Sequence, residues 1–307
     1  MNQNILILGA GGFIGKHLVN HFVRTGATVT AAVRKPLNFD NPLVRVIVRP
    51  FDTFEDFSDL LNDTSVAIHS ASTTTPAATS SQPQIEGNLR TLLALLEAMQ
   101  DKPPAHLIFF SSGGTLYGHC DTPAKESDEL HPRSYHGAGK IAAEYFIRAW
   151  SEQFNGQATI LRPSNIYGPG QLGTAGFGVI PAVLSAAMNS QRFTIFGDGT
   201  AERDFLYIDD FVQLVELVAK IDRGSGTNIY NAGSQTATSL NEVLLLIEKI
   251  TEQNIERRWQ PSRGIDISRT FLDISKARKT FAWNPIVPLQ SGLSKTWQWM
   301  KHIKTEL

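Results

Sequence analysis

The residue pattern points to an α/β protein: a doubly wound parallel sheet joined to a smaller C-terminal α/β lobe. Three features carry this expectation. Strand-like and helix-like segments alternate from Ile5 to Leu161. The first strand runs directly into a glycine-rich turn. After Arg162 the alternation breaks into short mixed elements, beginning with a glycine-rich stretch at 168–178.

The elements come in order. Residues 5–8 form a short apolar run ending in glycines, as a buried parallel strand does. Residues 13–25 have helical periodicity, with Phe13, Leu18, Phe22 and Val23 as the inner face. Strands are expected at 27–33, 44–48 and 66–69, with a short helix at 53–61 between the last two. The Ser/Thr-rich segment 70–81 precedes a long amphipathic helix at 84–99, whose stripe is Ile85, Leu89, Leu92, Leu93 and Leu96. A strand at 106–110, a helix at 137–154 and a strand at 158–161 complete the rhythm. Further helices are expected near 208–220, 240–251 and 290–302. Residues 1–165 then read as one domain and 166–307 mainly as a second lobe, interleaved with the first.

The 307 residues carry 28 Lys+Arg against 29 Asp+Glu, a formal charge of -1. This balance gives no electrostatic reason to expect a nucleic-acid or membrane partner. Cys120 is the only cysteine, which excludes an internal disulfide and a cysteine-based zinc site. The N-terminal segment lacks a basic n-region and Gly9 interrupts its apolar run, so a cytoplasmic location is expected.

The turn Gly9-Ala10-Gly11-Gly12-Phe13-Ile14-Gly15 lies between a strand and a helix, the setting of a dinucleotide site in a Rossmann-type sheet. Gly9 permits the tight turn, Gly12 the approach of a pyrophosphate, and Gly15 close packing of helix on sheet. The helix N-terminus faces the anion. A site that prefers NAD usually has a carboxylate about 20 residues further on. Here the region reads Ala31-Ala32-Val33-Arg34-Lys35, without an acid. Arg34 and Lys35 would attract a 2′-phosphate, so NADP is expected slightly ahead of NAD. The alternative is that Arg34 stacks on adenine or faces solvent.

The turn and four later motifs together resemble the extended short-chain dehydrogenase/reductases, in particular the NAD(P)-dependent nucleotide-sugar epimerase/dehydratase branch that includes UDP-glucose 4-epimerase. The motifs are the segment from Ser111 through Gly118, the segment from Leu161 through Gly170, Gly197-Asp198-Gly199 with Arg203-Asp204-Phe205, and the segment from Leu272 through Ala277. The resemblance covers nearly the whole chain. It implies that Asp52, Ala71, Ser72 and Asn88 neighbour the cofactor and that Pro163 offers its backbone near the nicotinamide. It also implies that Asn165, Thr194, Phe196, Arg203 and Arg263 form a nucleotide-diphosphate pocket, and that helices 84–99 and 137–154 pair in a homodimer. Guanidinium groups suit a diphosphate through bidentate bonds. The plainer alternatives are that Phe196 is core and that Arg203 pairs with Asp204 or Asp209.

In that family a Tyr four residues before a Lys carries the proton at the sugar hydroxyl, while the Lys holds the ribose and tunes the Tyr. Here Lys140 is in place, but the residue four before it is His136, and Tyr135 is five before. Five residues turn a helix by about 500°, which leaves Tyr135 about 140° away from Lys140. Three readings stay open. His136 replaces tyrosine as acid/base, its pKa lowered by Lys140. An irregular helix start lets Tyr135 swing in. Or the chemistry is weakened and the protein only binds.

The family often carries a hydroxyl residue at the position of Gly113, so Thr115 or Ser112 must orient the reacting hydroxyl here, or the site lacks that group. Dehydratases of the family carry an Asp-Glu pair at the positions of Gly114 and Thr115, and its absence argues against dehydration. The expected function is an NAD(P)-dependent nucleotide-sugar epimerase or 4-ketoreductase working by hydride transfer at C4. The alternative is a catalytically weakened nucleotide-sugar or NADP(H)-binding protein. His17 and His21 have metal-ligand spacing, but no third ligand accompanies them and no metal is expected.

Overall fold

The structure is a computed structural model that describes residues 3–75, 79–100, 103–104, 106–172, 178–221, 224–264 and 266–306. The chain runs β1 (Asn4–Leu8), α1 (Phe13–Arg24), β2 (Thr28–Val33), β3 (Val44–Val48), α2 (Glu55–Ser58) and β4 (Val66–His69). Next come α3 (Gln82–Gln84), a π-helical turn (Ile85–Leu89), α4 (Arg90–Ala98), β5 (His106–Phe110), α5 (Gly113–Leu116), α6 (Tyr135–Phe154) and β6 (Gln157–Pro163). Then follow β7 (Asn165–Tyr167), α7 (Val179–Met188), β8 (Phe193–Phe196), β9 (Glu202–Tyr207), α8 (Ile208–Ala219) and β10 (Gly226–Ala232). The chain closes with β11 (Ala237–Ser239), α9 (Leu240–Thr251), β12 (Arg257–Gln260), β13 (Arg269–Thr270), α10 (Ser275–Phe281) and α11 (Leu289–Glu306).

The chain divides into two compact units. The first comprises Met1–Ser112, Tyr135–Arg162 and Val212–Tyr230, and the second comprises Gly113–Ser134, Pro163–Phe211 and Asn231–Leu307. This differs from a single boundary at 165 in three places: 113–134 and 163–165 belong to the second unit and 212–230 to the first. The reason is topological, because the first unit's sheet takes its outermost strand from β10.

That sheet has the order β10-β6-β5-β4-β1-β2-β3. β1 pairs in parallel with both β2 and β4, so the strand order reverses beside β1. In open α/β sheets the crevice at such a reversal receives ligands. Burial tracks position: every residue of β4 and β5 is buried, whereas the edge strand β3 is only partly covered. In the second unit β9 pairs antiparallel with β11 and parallel with β7 and β13, and β8 pairs in parallel with β12.

Several expected elements shift. Helix α1 buries Val19, with Phe13 and Val23 only partly covered. The helix expected over 53–61 shortens to α2. The helix expected over 84–99 is broken by the π turn. A π turn accommodates one extra residue and so rotates the helix on its N-terminal side relative to the helix on its C-terminal side. Ile85 therefore leaves the expected stripe and is exposed, as is Leu93, while Leu92, Leu95 and Leu96 are buried. Among the described residues no helix is long and apolar enough to cross a membrane.

Candidate active site

The glycine turn has the backbone its sequence requires. Gly9 has φ +81°, and a Cβ there would lie 2.7 Å from the backbone of Ala71, just beyond β4. A Cβ on Gly15 would lie 2.1 Å from the Gly9 carbonyl oxygen, so the helix rests on the turn at a distance only glycine permits. Gly12 is the N-cap of α1 and supplies no capping side chain, and the first turn holds no acid. The free amide groups and the positive end of the helix are thus available to an anion.

The segments that follow β2, β3 and β4 contribute to a pocket of about 400 Å³ lined by Arg34, Asp52, Thr73, Gln82, Glu86 and Gly87, among others. Arg34 lies just after β2 and donates from Nη2 to the Gly87 carbonyl at 3.1 Å. The pocket thus offers hydrogen-bonding groups of both signs. An anion cradle after β1 and a polar pocket built from the segments after its neighbours β2 and β4 fit a dinucleotide. Ser72 is exposed and Ala71 half-buried in the segment after β4. Residues 76–78 of the expected lip lie outside the described residues.

Helix α6 begins at Tyr135, two residues before its expected start, which fixes where the two candidates for the proton carrier sit on it. Both residues are helical, so the irregular start that would bring Tyr135 round does not occur. Tyr135 is 52% exposed, whereas His136 is 7% and Lys140 8% exposed, on one face of the helix. Lys140 donates from Nζ to the Phe110 carbonyl at 2.7 Å, with its ammonium 4.7 Å from the centre of the Phe109 ring. Burial lowers its pKa to about 8, against the raising effect of Glu144. Burial, then the charge of Lys140, pulls His136 down to about 4, so its imidazole is neutral at pH 7.

His136 also has a hydrogen-bond partner that sequence reasoning missed. Its Nδ1 lies 3.0 Å from Thr74 Oγ1, which accepts from Asn88 Nδ2 at 2.8 Å and reaches Gln84 Oε1 at 3.1 Å. Thr74 is 62 residues from His136 in a Ser/Thr-rich segment without periodicity, so nothing local singles it out. The one available signal was chemical: a buried imidazole needs a partner for one ring nitrogen to fix its tautomer.

Below Lys140 on the same helix, Glu144 forms a fully buried ion pair with Arg162 of β6, Nη2 to Oε2 at 2.7 Å. Glu144 also accepts from Ser111 Oγ at 2.6 Å. This network ties α6 to the ends of β5 and β6. Ser112 comes next in the first unit and is half-buried. Thr115 is buried in α5 of the second unit.

The residues expected to hold a nucleotide diphosphate all fall in the second unit. The Arg263 guanidinium stacks 4.3 Å from the centre of the Phe196 ring and pairs with Asp266 at 2.8 Å. Burial pulls the Arg203 pKa down, and Asp266 opposes this. Phe196 is exposed, not core. Nor does Arg203 pair with Asp204, whose buried carboxylate accepts from Ser234 N–H and Oγ–H at 2.7 and 2.8 Å. An exposed ring under the Arg263 guanidinium, with Arg203 close enough to feel the charges of Arg263 and Asp266, suits a base and a diphosphate. Asn165 donates to the Asp204 carbonyl at 2.8 Å, Thr194 lies in β8 opposite Arg258, and Pro163 ends β6. His21, half of the spaced histidine pair, bonds Glu216 at 2.7 Å.

Comparison with known proteins agrees with this architecture. The model of the NAD dependent epimerase/dehydratase family matches residues 5–233. A putative UDP-glucose 4-epimerase of Methanocaldococcus jannaschii is 29% identical over 307 residues, covering 97% of this chain and 98% of its own. The crystal structure of a UDP-glucose 4-epimerase with UDP-glucose from Thermotoga maritima aligns with a TM-score of 0.91 at 27% identity, over 98% of this chain and 100% of that one. A UDP-glucuronic acid 4-epimerase from Bacillus cereus, solved with UDP-glucuronic acid and NAD, aligns at 0.90 and 25% identity, over 98% and 100% of the two chains.

Proposed function

The chain belongs to the NAD dependent epimerase/dehydratase family, and on that premise we propose that it epimerises a UDP-hexose at C4, with His136 carrying the proton. The observation behind this reading is the face of α6. An imidazole, neutral at pH 7, stands one helical turn before a buried ammonium, at the position of the family's tyrosine. The first unit takes the dinucleotide at the glycine turn and the pocket of Arg34 and Asp52. The second unit takes the nucleotide diphosphate at Phe196, Arg203 and Arg263.

NAD, held at the glycine turn and by Arg34 and Asp52, would supply a reversible hydride acceptor for C4 of the sugar. His136 accepts the C4 hydroxyl proton as the carbonyl forms and gives it back when the alcohol is restored, as general base and then general acid. Lys140 holds the cofactor ribose and adds positive charge beside the imidazole, which keeps His136 in its proton-accepting form. Ser112 and Thr115 supply the hydroxyls that orient the sugar. Removal and return of both proton and hydride within one turnover leave no net redox change, which separates an epimerase from a 4-ketoreductase.

The test is turnover of UDP-glucose with NAD and, in parallel, with NADP, followed by NMR of the sugar. UDP-galactose should form with no net change in cofactor absorbance. His136→Ala should lower kcat by about 10²-fold or more with dinucleotide affinity within a few-fold. Stoichiometric consumption of reduced cofactor with a 4-keto sugar would instead mark a reductase. Binding of UDP-glucose without turnover would mark a binding protein. The finer expectation of NADP ahead of NAD rests on Arg34 and Lys35, and Asp52 and Glu86 in the same pocket oppose it; the parallel assays decide.

The reading carries a cytoplasmic location and a homodimer built on α4 and α6. Those helices leave Leu93, Tyr145 and Phe146 exposed, an apolar face of the kind that subunits cover. Light scattering should give twice the chain mass of 33.8 kDa, and Phe146→Glu should give the monomer.

A further inference from the structure

The neutral imidazole has two tautomers, and only one leaves Nε2 able to accept a proton. The atoms around Thr74 choose between them. Asn88 is oriented by the backbone, because its Oδ1 accepts from the Thr73 N–H at 2.8 Å. Its Nδ2 therefore donates, to Thr74 Oγ1 at 2.8 Å and to Gln84 Oε1 at 2.9 Å. The Gln84 amide is fixed in turn, since its reverse would set two NH₂ groups against each other. Thr74 then has one proton for two neighbours, Gln84 Oε1 at 3.1 Å and His136 Nδ1 at 3.0 Å.

Given to Nδ1, that proton leaves two oxygen lone pairs facing each other across the Thr74–Gln84 contact. Given to Gln84, it makes every contact a hydrogen bond, provided His136 donates from Nδ1. Thr74 Oγ1 is then saturated, with two bonds accepted and one donated. These residues are buried or half-buried, where an unmatched lone pair is costly.

We infer that Thr74 is a positioning residue that holds His136 as the Nδ1–H tautomer, with Nε2 as the proton acceptor. The inference rests on the reading of His136 as acid/base and deepens it. Two glycines make the arrangement possible. A Cβ on Gly139 would lie 2.9 Å from Gln84 Oε1, and one on Gly87 would lie 2.1 Å from Thr73 Oγ1. Gly139 is otherwise a poor residue for a helix interior. Here it opens the space that Gln84 fills. Thr74, Gln84 and Asn88 together do for this imidazole what a carboxylate does in a catalytic triad, without adding charge.

The experiment reads the tautomer directly, by ¹H–¹⁵N correlation on the full-length protein labelled at histidine. His136 is assigned by comparison with His136→Gln. The expected result is a protonated Nδ1 and an unprotonated Nε2 in wild type, with a mixed population in Thr74→Val. In the UDP-glucose assay Thr74→Val should lose about 2- to 10-fold in kcat, in step with the fraction of the Nδ1–H tautomer lost, with KM changed less than about twofold, and Thr74→Ser should recover most of the loss. A protonated Nε2 in wild type overturns the inference whatever the activity. So does Thr74→Val with wild-type kcat. Failure of the parent reading looks different: His136→Ala then turns over normally while the tautomer still reads as expected.

Discussion

At the scale of the residue, the active face of α6 is governed by two lowered pKa values. His136 is lowered to about 4, by burial and then by Lys140, and Lys140 is lowered to about 8, by burial. The proposed chemistry needs the first neutral and the second charged. The pH profile of kcat/KM should therefore be flat between about 4 and 8, falling on the acid side as His136 protonates and on the alkaline side as Lys140 loses its proton. An alkaline limb without an acid one near 4 would show that an imidazole is not the group that titrates. The i, i+4 relation of His136 and Lys140 was legible in the sequence, because helical spacing is local. The exposed placement of Tyr135 was not, because it turns on where the helix begins. Thr74 was illegible for a third reason: its role comes from a tertiary contact, and its own neighbourhood is a run of interchangeable hydroxyl residues.

At the scale of the element, alternation and apolar runs located β1 to β6 almost to the residue, since buried parallel strands write themselves as continuous apolar stretches. Periodicity failed at the π turn, where one template cannot describe both sides of a change in register. The glycines were legible only in part. Gly9, Gly12 and Gly15 declare themselves by spacing, whereas Gly87 and Gly139 matter through side chains from other segments. The two kinds should respond differently to alanine. Gly15→Ala drives a Cβ into the Gly9 carbonyl, a backbone atom that cannot yield, and should abolish dinucleotide binding with a large fall in Tm. Gly87→Ala meets the Thr73 side chain, whose Oγ1 can swing away while its Cβ at 2.9 Å forces only a small shift, and should cost about 1–3 kcal/mol of stability. Thermal melts with and without NAD measure both. Equal effects would mean that the glycine turn is not a rigid cradle.

At the scale of the whole molecule, the order of the chain is not the order of its units. A single cut near 165 matches the place where the strand-helix rhythm ends, yet the first unit also takes 212–230. Alternation could not reveal this, because a strand's partner is not encoded by its position. Those residues bring β10 to the edge of the sheet, and Glu216 and the Ala219 carbonyl to bonds with His21 and Gln3 at 2.7 and 3.0 Å. A fragment of residues 1–165 should therefore unfold without a cooperative transition in calorimetry, whereas the full chain melts cooperatively. A sharp transition in the fragment would show that the late strand is dispensable. The same arrangement sets a timetable for biosynthesis. β10 leaves the ribosome roughly 60 residues after β6, whose pairing edge it covers. At about 5–20 residues per second that edge stays bare for roughly 3–12 s. Throughout that interval the nascent sheet offers a template for a neighbouring chain on the same messenger, so yield in the cell should depend on chaperones that shield that edge until its own strand arrives.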